Sequence, residues 1–393
     1  MPLIILMFLL FNFSANAQNN KELDSIIAYG LKNNKDYKAA MQNAEKAKQE
    51  VKTALDIDKT NIYYAYDQNN LALNNMPLKV FGVQQSFKFP TVYTNLKKNY
   101  NLNADYEQIA THIVKNNLVK EITISYYKIV YWQNKEKLYK NLDSLYQNFS
   151  KASSRRFELG ESNYLEKITS LAKAQQIQYK LKEIEKSKLA EYENLYGLTQ
   201  DNTKKVTVES NTLSLVLPLL NVDNYFEQYW NKNSEILNQQ IKVEKSLILP
   251  NINVEYFQGK NNKLTQSLYG FQVGLSVPIF FTANAAKIKV AKLNKEIWET
   301  QKSSNLIFLD SKRKQLQNIN LQHLQAIEYY NKFGENLAKE IIKVANYSFK
   351  HGEIDFFQYI QSLENASSIQ EDYLNALIEY NVSQIQLNYL DIK

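Results

Sequence analysis

Few side chains in this sequence could do chemistry, and none is spaced to do it. His112, His323 and His351 are the three histidines, and no neighbouring ligand stands at zinc spacing from any of them. His351 could lend pH sensitivity, because histidine titrates near neutral pH, but an exposed turn residue is its simpler role. Asp355 and Glu364 could pair as carboxylates, yet they fall on a helix surface where solvated charge is the default. There is no phosphate-cradling glycine motif, no G-x-S-x-G and no histidine to serve a serine nucleophile. The absence of cysteine removes disulfides, thiolate metal sites and a lipobox cysteine for acylation. No catalytic residue, metal site or cofactor is therefore expected.

The elements around these residues point elsewhere. Leu3 to Phe11 are unbroken apolar residues, and Ala15-Asn16-Ala17 is an A-x-A-like cleavage site before Gln18. The run is too short for a membrane helix and reads as a signal peptide over residues 1–17. No Lys or Arg precedes it, so the true start codon is an open point. No later stretch is apolar enough for a transmembrane helix. If the chain crosses a membrane, it must do so as a closed β-barrel, the only structure besides a helix that satisfies every backbone group in lipid. The net charge of +7 is spread along the chain. Lys151, Arg155 and Arg156 are the nearest approach to a basic patch, so no nucleic-acid partner is expected.

Prolines stand only at 2, 77, 90, 218, 250 and 278, leaving 91–217 and 279–393 free of them. An interior proline costs a helix about 3 kcal/mol, so these stretches, rich in Lys, Gln, Glu, Leu and Ala, favour very long helices. Leu138, Leu142, Leu145 and Phe149 step by threes and fours, as do Ile168, Leu171, Ala174, Ile177, Leu181 and Ile184. Each set should form one apolar stripe of a coiled-coil seam. Gly160 and Gly352 mark turns between antiparallel helices.

Strand character appears near 59–68 and 79–89, and again near 250–258 and 266–278. In the last of these Tyr269, Phe271, Val273, Leu275 and Val277 face one side, and Gly270, Gln272, Gly274 and Ser276 the other. An ordinary sheet would bury the apolar side on a core; a barrel would turn it to lipid and the polar side to a watery lumen. Tyr63, Tyr64, Tyr66, Phe87, Tyr256 and Tyr269 are candidates for interfacial aromatic girdles. The chain also repeats. Phe157-Glu158-Leu159-Gly160-Glu161 matches Phe349-Lys350-His351-Gly352-Glu353, and Ile168, Ser170, Leu171 and Ala174 recur as Ile360, Ser362, Leu363 and Ala366. The expected organisation is a first repeat over 18–197, a linker over 198–221 and a second repeat over 222–393.

These pieces, with the passage Gly274-Leu275-Ser276-Val277-Pro278-Ile279-Phe280, resemble the TolC-type outer-membrane efflux proteins over essentially the whole mature chain. The resemblance implies a mainly α protein with a small β part, built on a duplicated helix–β-hairpin–long helix–helix repeat. Four strands per protomer would contribute to a trimeric twelve-stranded β-barrel, continued by an α-helical tunnel through the periplasm. Four strands cannot close alone, and open edges in lipid force oligomerisation. Residues 91–157, if continuously helical, would reach about 100 Å.

By the same resemblance the protein is a passive conduit rather than an enzyme, localised in the outer membrane. It would pass small molecules or metal ions from an inner-membrane pump of the resistance-nodulation-division class and a periplasmic adaptor. The matching tip positions, Arg156, Leu159, Gly160, Glu161, Lys350, His351, Gly352 and Glu353, would dock the adaptor. Asp355, Gln358, Gln361 and Glu364 lie where the family places acidic residues on the tunnel face, and would form a constriction. The lipidated N-terminal cysteine of many relatives is missing. A role in protein secretion, or as a soluble periplasmic coiled-coil scaffold, is the alternative.

Overall fold

The computed structural model describes residues 21–71, 74–201, 206–209, 213–219, 224–261, 263 and 265–390. The leader over 1–17 lies outside the described residues, as does part of the 198–221 linker. The chain is mainly helical with one small sheet. Helices α1 (Lys21–Asn33) and α2 (Lys35–Glu50) lead through a 3₁₀ turn (Val51–Leu55) into strands β1 (Asn61–Leu71) and β2 (Pro77–Phe87). Then come α3 (Pro90–Glu158), α4 (Tyr164–Thr199) and α5 (Tyr225–Ser246), followed by β3 (Asn251–Lys260) and β4 (Leu268–Ser276). Helix α6 (Thr282–Tyr329), a π-turn (Tyr330–Gly334), α7 (Glu335–Lys350) and α8 (Phe356–Asn388) complete the chain.

Element ends follow from local chemistry. Pro90 opens the 69-residue α3 at the first helical position, where its missing N–H costs nothing. Asn163 and Asn224 cap α4 and α5, accepting from the Glu166 and Glu227 backbone N–H groups, a contribution of about 1 kcal/mol each. The proline-free stretch after 279 is not one uninterrupted α-helix. The π-turn interposes itself where Tyr330 stacks on Tyr373 at 3.8 Å. A Cβ at Gly334 would stand 3.0 Å from the Tyr330 ring and 3.3 Å from Ile369. Apolar periodicity gives no sign of such a local widening.

The described residues form two compact units. The first gathers residues up to Asn34 with Leu118–Val216 and Gln322–Ile385. One core within it is Tyr146, Phe149, Ala174, Phe356, Tyr359, Ile360 and Leu363; a second is Ile327, Ala376, Leu377 and Tyr380. Burying a side chain such as Leu363, 1% exposed, contributes about 1.5–3 kcal/mol. The α4 stripe departs from expectation. Ala174 and Ile184 are buried, but Ile168 and Leu171 are exposed together with Leu165. Helix α4 thus has two apolar faces, and a step rule of threes and fours merges neighbouring faces of one helix.

The second unit gathers Lys35–Asn117, Leu217–Leu321 and the chain from Gln386. Its helical core is Phe226, Trp230, Leu309, Leu316 and Leu390, with Trp230 and Trp298 rings 4.1 Å apart. The same unit carries the antiparallel sheet, in the order β1-β2-β3-β4.

Candidate functional site

The register of the sheet assigns every side chain to a face, because directly paired residues point the same way. Ile62, Val83, Tyr256 and Phe271 form one rung, and Tyr64, Phe81, Gln258 and Tyr269 the next. Toward the helices the same face continues through Gln85, Val254 and Val273, then Phe87, Ile252 and Leu275. No charge interrupts it between those rungs. Tyr269 and Phe271 are 79% and 69% exposed, and Ile62, Tyr64, Val273 and Leu275 are also exposed. The strands hold 11, 11, 10 and 9 residues, the length a tilted membrane strand needs.

The opposite face is polar and glycine-bearing. Asn61, Gln84, Glu255 and Gln272 make one rung; Tyr63, Gly82, Phe257 and Gly270 make the next. The Tyr63 ring lies where a Cβ on Gly82 would stand, at 2.3 Å, and the Phe257 ring does the same at Gly270, at 2.2 Å. The Tyr63 hydroxyl donates to the Glu255 carboxylate. Tyr63 therefore does not join Tyr64, Tyr66, Tyr256, Tyr269 and Phe87 in one aromatic girdle. Adjacent strand residues must point to opposite faces, and grouping aromatics by strand membership ignored that parity. Sequence reasoning also missed Phe257 and Glu255. The signal was there: a glycine in each of two strands, with an aromatic in its neighbour.

The two helix turns are alike. Gly160 and Gly352 have φ of +74° and +73°. In the first turn the Glu161 N–H donates to the Arg156 carbonyl at 2.8 Å and the Gly160 N–H to Phe157 at 3.0 Å. In the second, Glu353 donates to Ser348 at 2.8 Å and Gly352 to Phe349 at 3.2 Å. Both are six-to-one plus five-to-two closures of a helix end, which need a left-handed residue after the cap. Nothing lies within 4 Å of a Cβ at either glycine, so backbone conformation alone calls for glycine.

Side chains distinguish the turns. Arg156 and Ser153 both donate to Glu166 at 3.2 Å, while Leu159 and Glu161 are exposed. In the second turn Lys350, Gly352 and Glu353 are exposed. Ser348 donates to Glu353 at 2.7 Å, and the His351 Nδ1 lies 2.9 Å from the Tyr347 carbonyl. Asp355 and Gln358 form a reciprocal capping box at the start of α8. Asp355 accepts from the Gln358 N–H at 2.8 Å, and Gln358 from the Asp355 N–H at 3.0 Å. Glu364 pairs with Lys173 at 2.5 Å, and Gln361 is exposed, its amide donating to Asn365 at 3.1 Å.

Deeper in the first unit, polar side chains tie α3 to α8. Lys135 meets Glu371 at 2.8 Å, and the Tyr139 hydroxyl donates to the same carboxylate at 2.8 Å. Burial pushes the Glu371 carboxyl up, but the hydrogen bonds from Lys135 and Tyr139 and the Lys135 charge outweigh it. The carboxyl is held below the ordinary range. Among the described residues no three His, Asp or Glu side chains group as metal ligands, and no helix is long and apolar enough to cross a membrane.

No protein-family model matches the sequence, and neither does any curated protein. Solved structures do match the fold. A membrane protein from Pseudomonas aeruginosa superposes with a TM-score of 0.79 at 12% identity, covering 94% of this chain and 93% of that one. The CmeC outer membrane channel of Campylobacter jejuni gives 0.76 at 16% identity, covering 94% and 85%. The open state of the MtrE outer membrane channel of Neisseria gonorrhoeae gives 0.73 at 13%, covering 94% and 88%. The chain thus has the fold of outer-membrane efflux channels of the TolC type.

Proposed function

We propose that this protein is the outer-membrane channel of a tripartite efflux system, a passive trimer and not an enzyme. The observation that carries the reading is the uncovered apolar face of a four-stranded sheet whose outer strands, β1 and β4, each keep an unpaired edge. Three copies joined edge to edge would close a twelve-stranded barrel, removing those edges and giving the apolar face to lipid. The rung of Asn61, Gln84, Glu255 and Gln272 would then line the lumen. The leader over 1–17, the repeats over 18–197 and 222–393 and the linker over 198–221 belong to this account.

In the first unit, α7 leaves Leu337, Val344 and Tyr347 exposed, and α4 leaves Leu165, Ile168 and Leu171 exposed. Apolar stripes at helical spacing want another helix, and a neighbouring protomer would supply it. The fold's likeness to efflux channels supports small molecules or metal ions as cargo. It equally supports an inner-membrane pump of the resistance-nodulation-division class and a periplasmic adaptor as partners. The adaptor would meet Arg156, Leu159, Gly160 and Glu161 at one tip and Lys350, His351, Gly352 and Glu353 at the other. Of the constriction candidates, Asp355 and Gln358 are committed to a helix cap and Glu364 to an ion pair with Lys173, which leaves the exposed Gln361 the freest to line a tunnel.

The test uses single cysteines at Glu161 and Glu353 in the cysteine-free chain, with the cognate adaptor and pump, read by cross-linking during dye efflux. Both positions should link to the adaptor. Efflux with both unlinked, while Gln178 on α4 links readily, would contradict tip docking.

A further inference from the structure

The apolar face of the sheet ends, at its hairpin-turn side, in an arrangement that isolated strands disfavour. Lys79 and Lys260 are direct cross-strand partners, and Tyr66 pairs with Lys79 on the other flank. Like charges directly opposite one another repel. Both lysines are exposed, and neither has an ion-pair partner among the described residues. The surrounding sequence offers no relief. Residues 68–78 and 256–267 contain no Asp or Glu, and Lys263 adds a third positive charge. The nearest acids are Glu255, on the opposite face and accepting from the Tyr63 hydroxyl, and Asp67. Asp67 pairs with Leu78 on the opposite face, and its carboxylate accepts from the Asn69 N–H at 2.8 Å.

The position of the pair says what is missing. One rung nearer the helices stand Tyr64, Phe81 and Tyr269, aromatics that suit a membrane–water interface. The lysines lie two residues further along the strand, about 7 Å beyond that belt, at the level of lipid headgroups. The turns that follow are tied together: the side-chain amides of Asn74 and Asn261 bond each other at 3.2 and 2.9 Å. The Lys263 N–H donates to Asn261 at 3.2 Å. Asn74 and Asn261 thus bridge the two hairpins beside the cations.

We propose that Lys79 and Lys260, with Lys263 from the adjoining turn, form a binding site for the phosphate of an anionic lipid headgroup in the leaflet at the hairpin-turn end. A phosphate between the two ammonium groups would turn their repulsion into two charge-assisted hydrogen bonds, while acyl chains would lie along Phe81 and Tyr256. This rests on the barrel reading above.

The test is native mass spectrometry of delipidated detergent-solubilised protein titrated with bisphosphorylated lipid A or its fully dephosphorylated form. Wild type should bind the phosphorylated lipid at least tenfold more tightly. The double variant Lys79→Gln/Lys260→Gln should lose that preference while staying trimeric, and Lys88→Gln, at the helix end of β2, should keep it. Equal binding of both lipids by the wild-type trimer would overturn the site and leave the barrel standing. An undiminished preference in the double variant would do the same, and so would full competition by millimolar inorganic phosphate, which would mark a free-anion site. Spectra showing only monomer would overturn the barrel, and this site with it.

Discussion

The sheet and the helices α4 and α7 both leave large apolar side chains uncovered, but in different patterns. On the sheet the apolar surface is two-dimensional, running across all four strands from Phe87 and Leu275 to Tyr64 and Tyr269 without a charge. On α7 it is a stripe, Leu337, Ile341 and Val344, bordered by Lys339, Glu340 and Lys343. On α4 the stripe of Leu165, Ile168 and Leu171 runs beside Lys167 and Lys173. A broad uncharged face suits a solvent that is apolar everywhere, whereas a stripe with charged borders suits one partner helix with water alongside. Both regions leave large apolar side chains exposed, the sheet the more so, and on the proposed reading the geometry of the charges distinguishes lipid from protein as the neighbour.

The largest effect should come from placing a charge on the broad face. If the broad face meets lipid, Val273→Arg should cost roughly 2–4 kcal/mol near the midplane, cutting recovery of assembled protein from membranes. Gly274→Arg, one residue on, points to the polar face, where nothing lies within 4 Å of its Cβ. It should assemble and mainly alter conductance in planar bilayers. Equal assembly defects would break the assignment of faces.

On the stripes the penalty should appear only on assembly. Leu337→Ala with Val344→Ala removes side chains that are already exposed in one chain, so the fold of the protomer should hold. If a second helix covers them, each truncation should weaken the oligomer by about 1–3 kcal/mol, read as a lower urea midpoint for trimer dissociation. An unchanged midpoint would mean that the stripes face something other than another copy.

The two faces of β4 were legible in the sequence because a period of two leaves no freedom within a strand. The partners across the sheet were not, because they depend on register, which decides that Tyr64 and not Tyr63 shares the face of Tyr269. Gly160 and Gly352 were legible as well, through the matching residues around them, and both adopt the left-handed conformation such turns need. The π-turn at Tyr330 and the double face of α4 were not, because both depend on which surfaces meet in three dimensions. The roles of Asp355 and Gln358 were legible in their spacing, an Asp followed three residues later by a Gln at a helix start, but the resemblance directed attention to a tunnel face instead.

The tips permit a smaller perturbation. Gly160→Val or Gly352→Val forces a β-branched residue into a left-handed conformation, costing about 1–2 kcal/mol. Oligomers should still form, while cross-linking to the adaptor and dye efflux should fall. The smallest expected effect is on pH. A carboxyl held below its unfolded value adds stability above the ordinary carboxylate range and loses it as the pH falls through its folded value. Glu371, lowered from 4.5, should therefore make the thermal midpoint drop on acidification below about pH 4.5. Glu371→Gln should start lower at neutral pH and show a shallower acid slope.

The central claim is that three copies close one barrel in the outer membrane. The most direct measurement is the molar mass of mature protein extracted from purified outer membranes in mild detergent, by light scattering with the detergent contribution subtracted. The account predicts three chain masses, stable on dilution and lost on Val273→Arg. A single chain mass, or recovery of the protein wholly in the soluble periplasmic fraction, would contradict it.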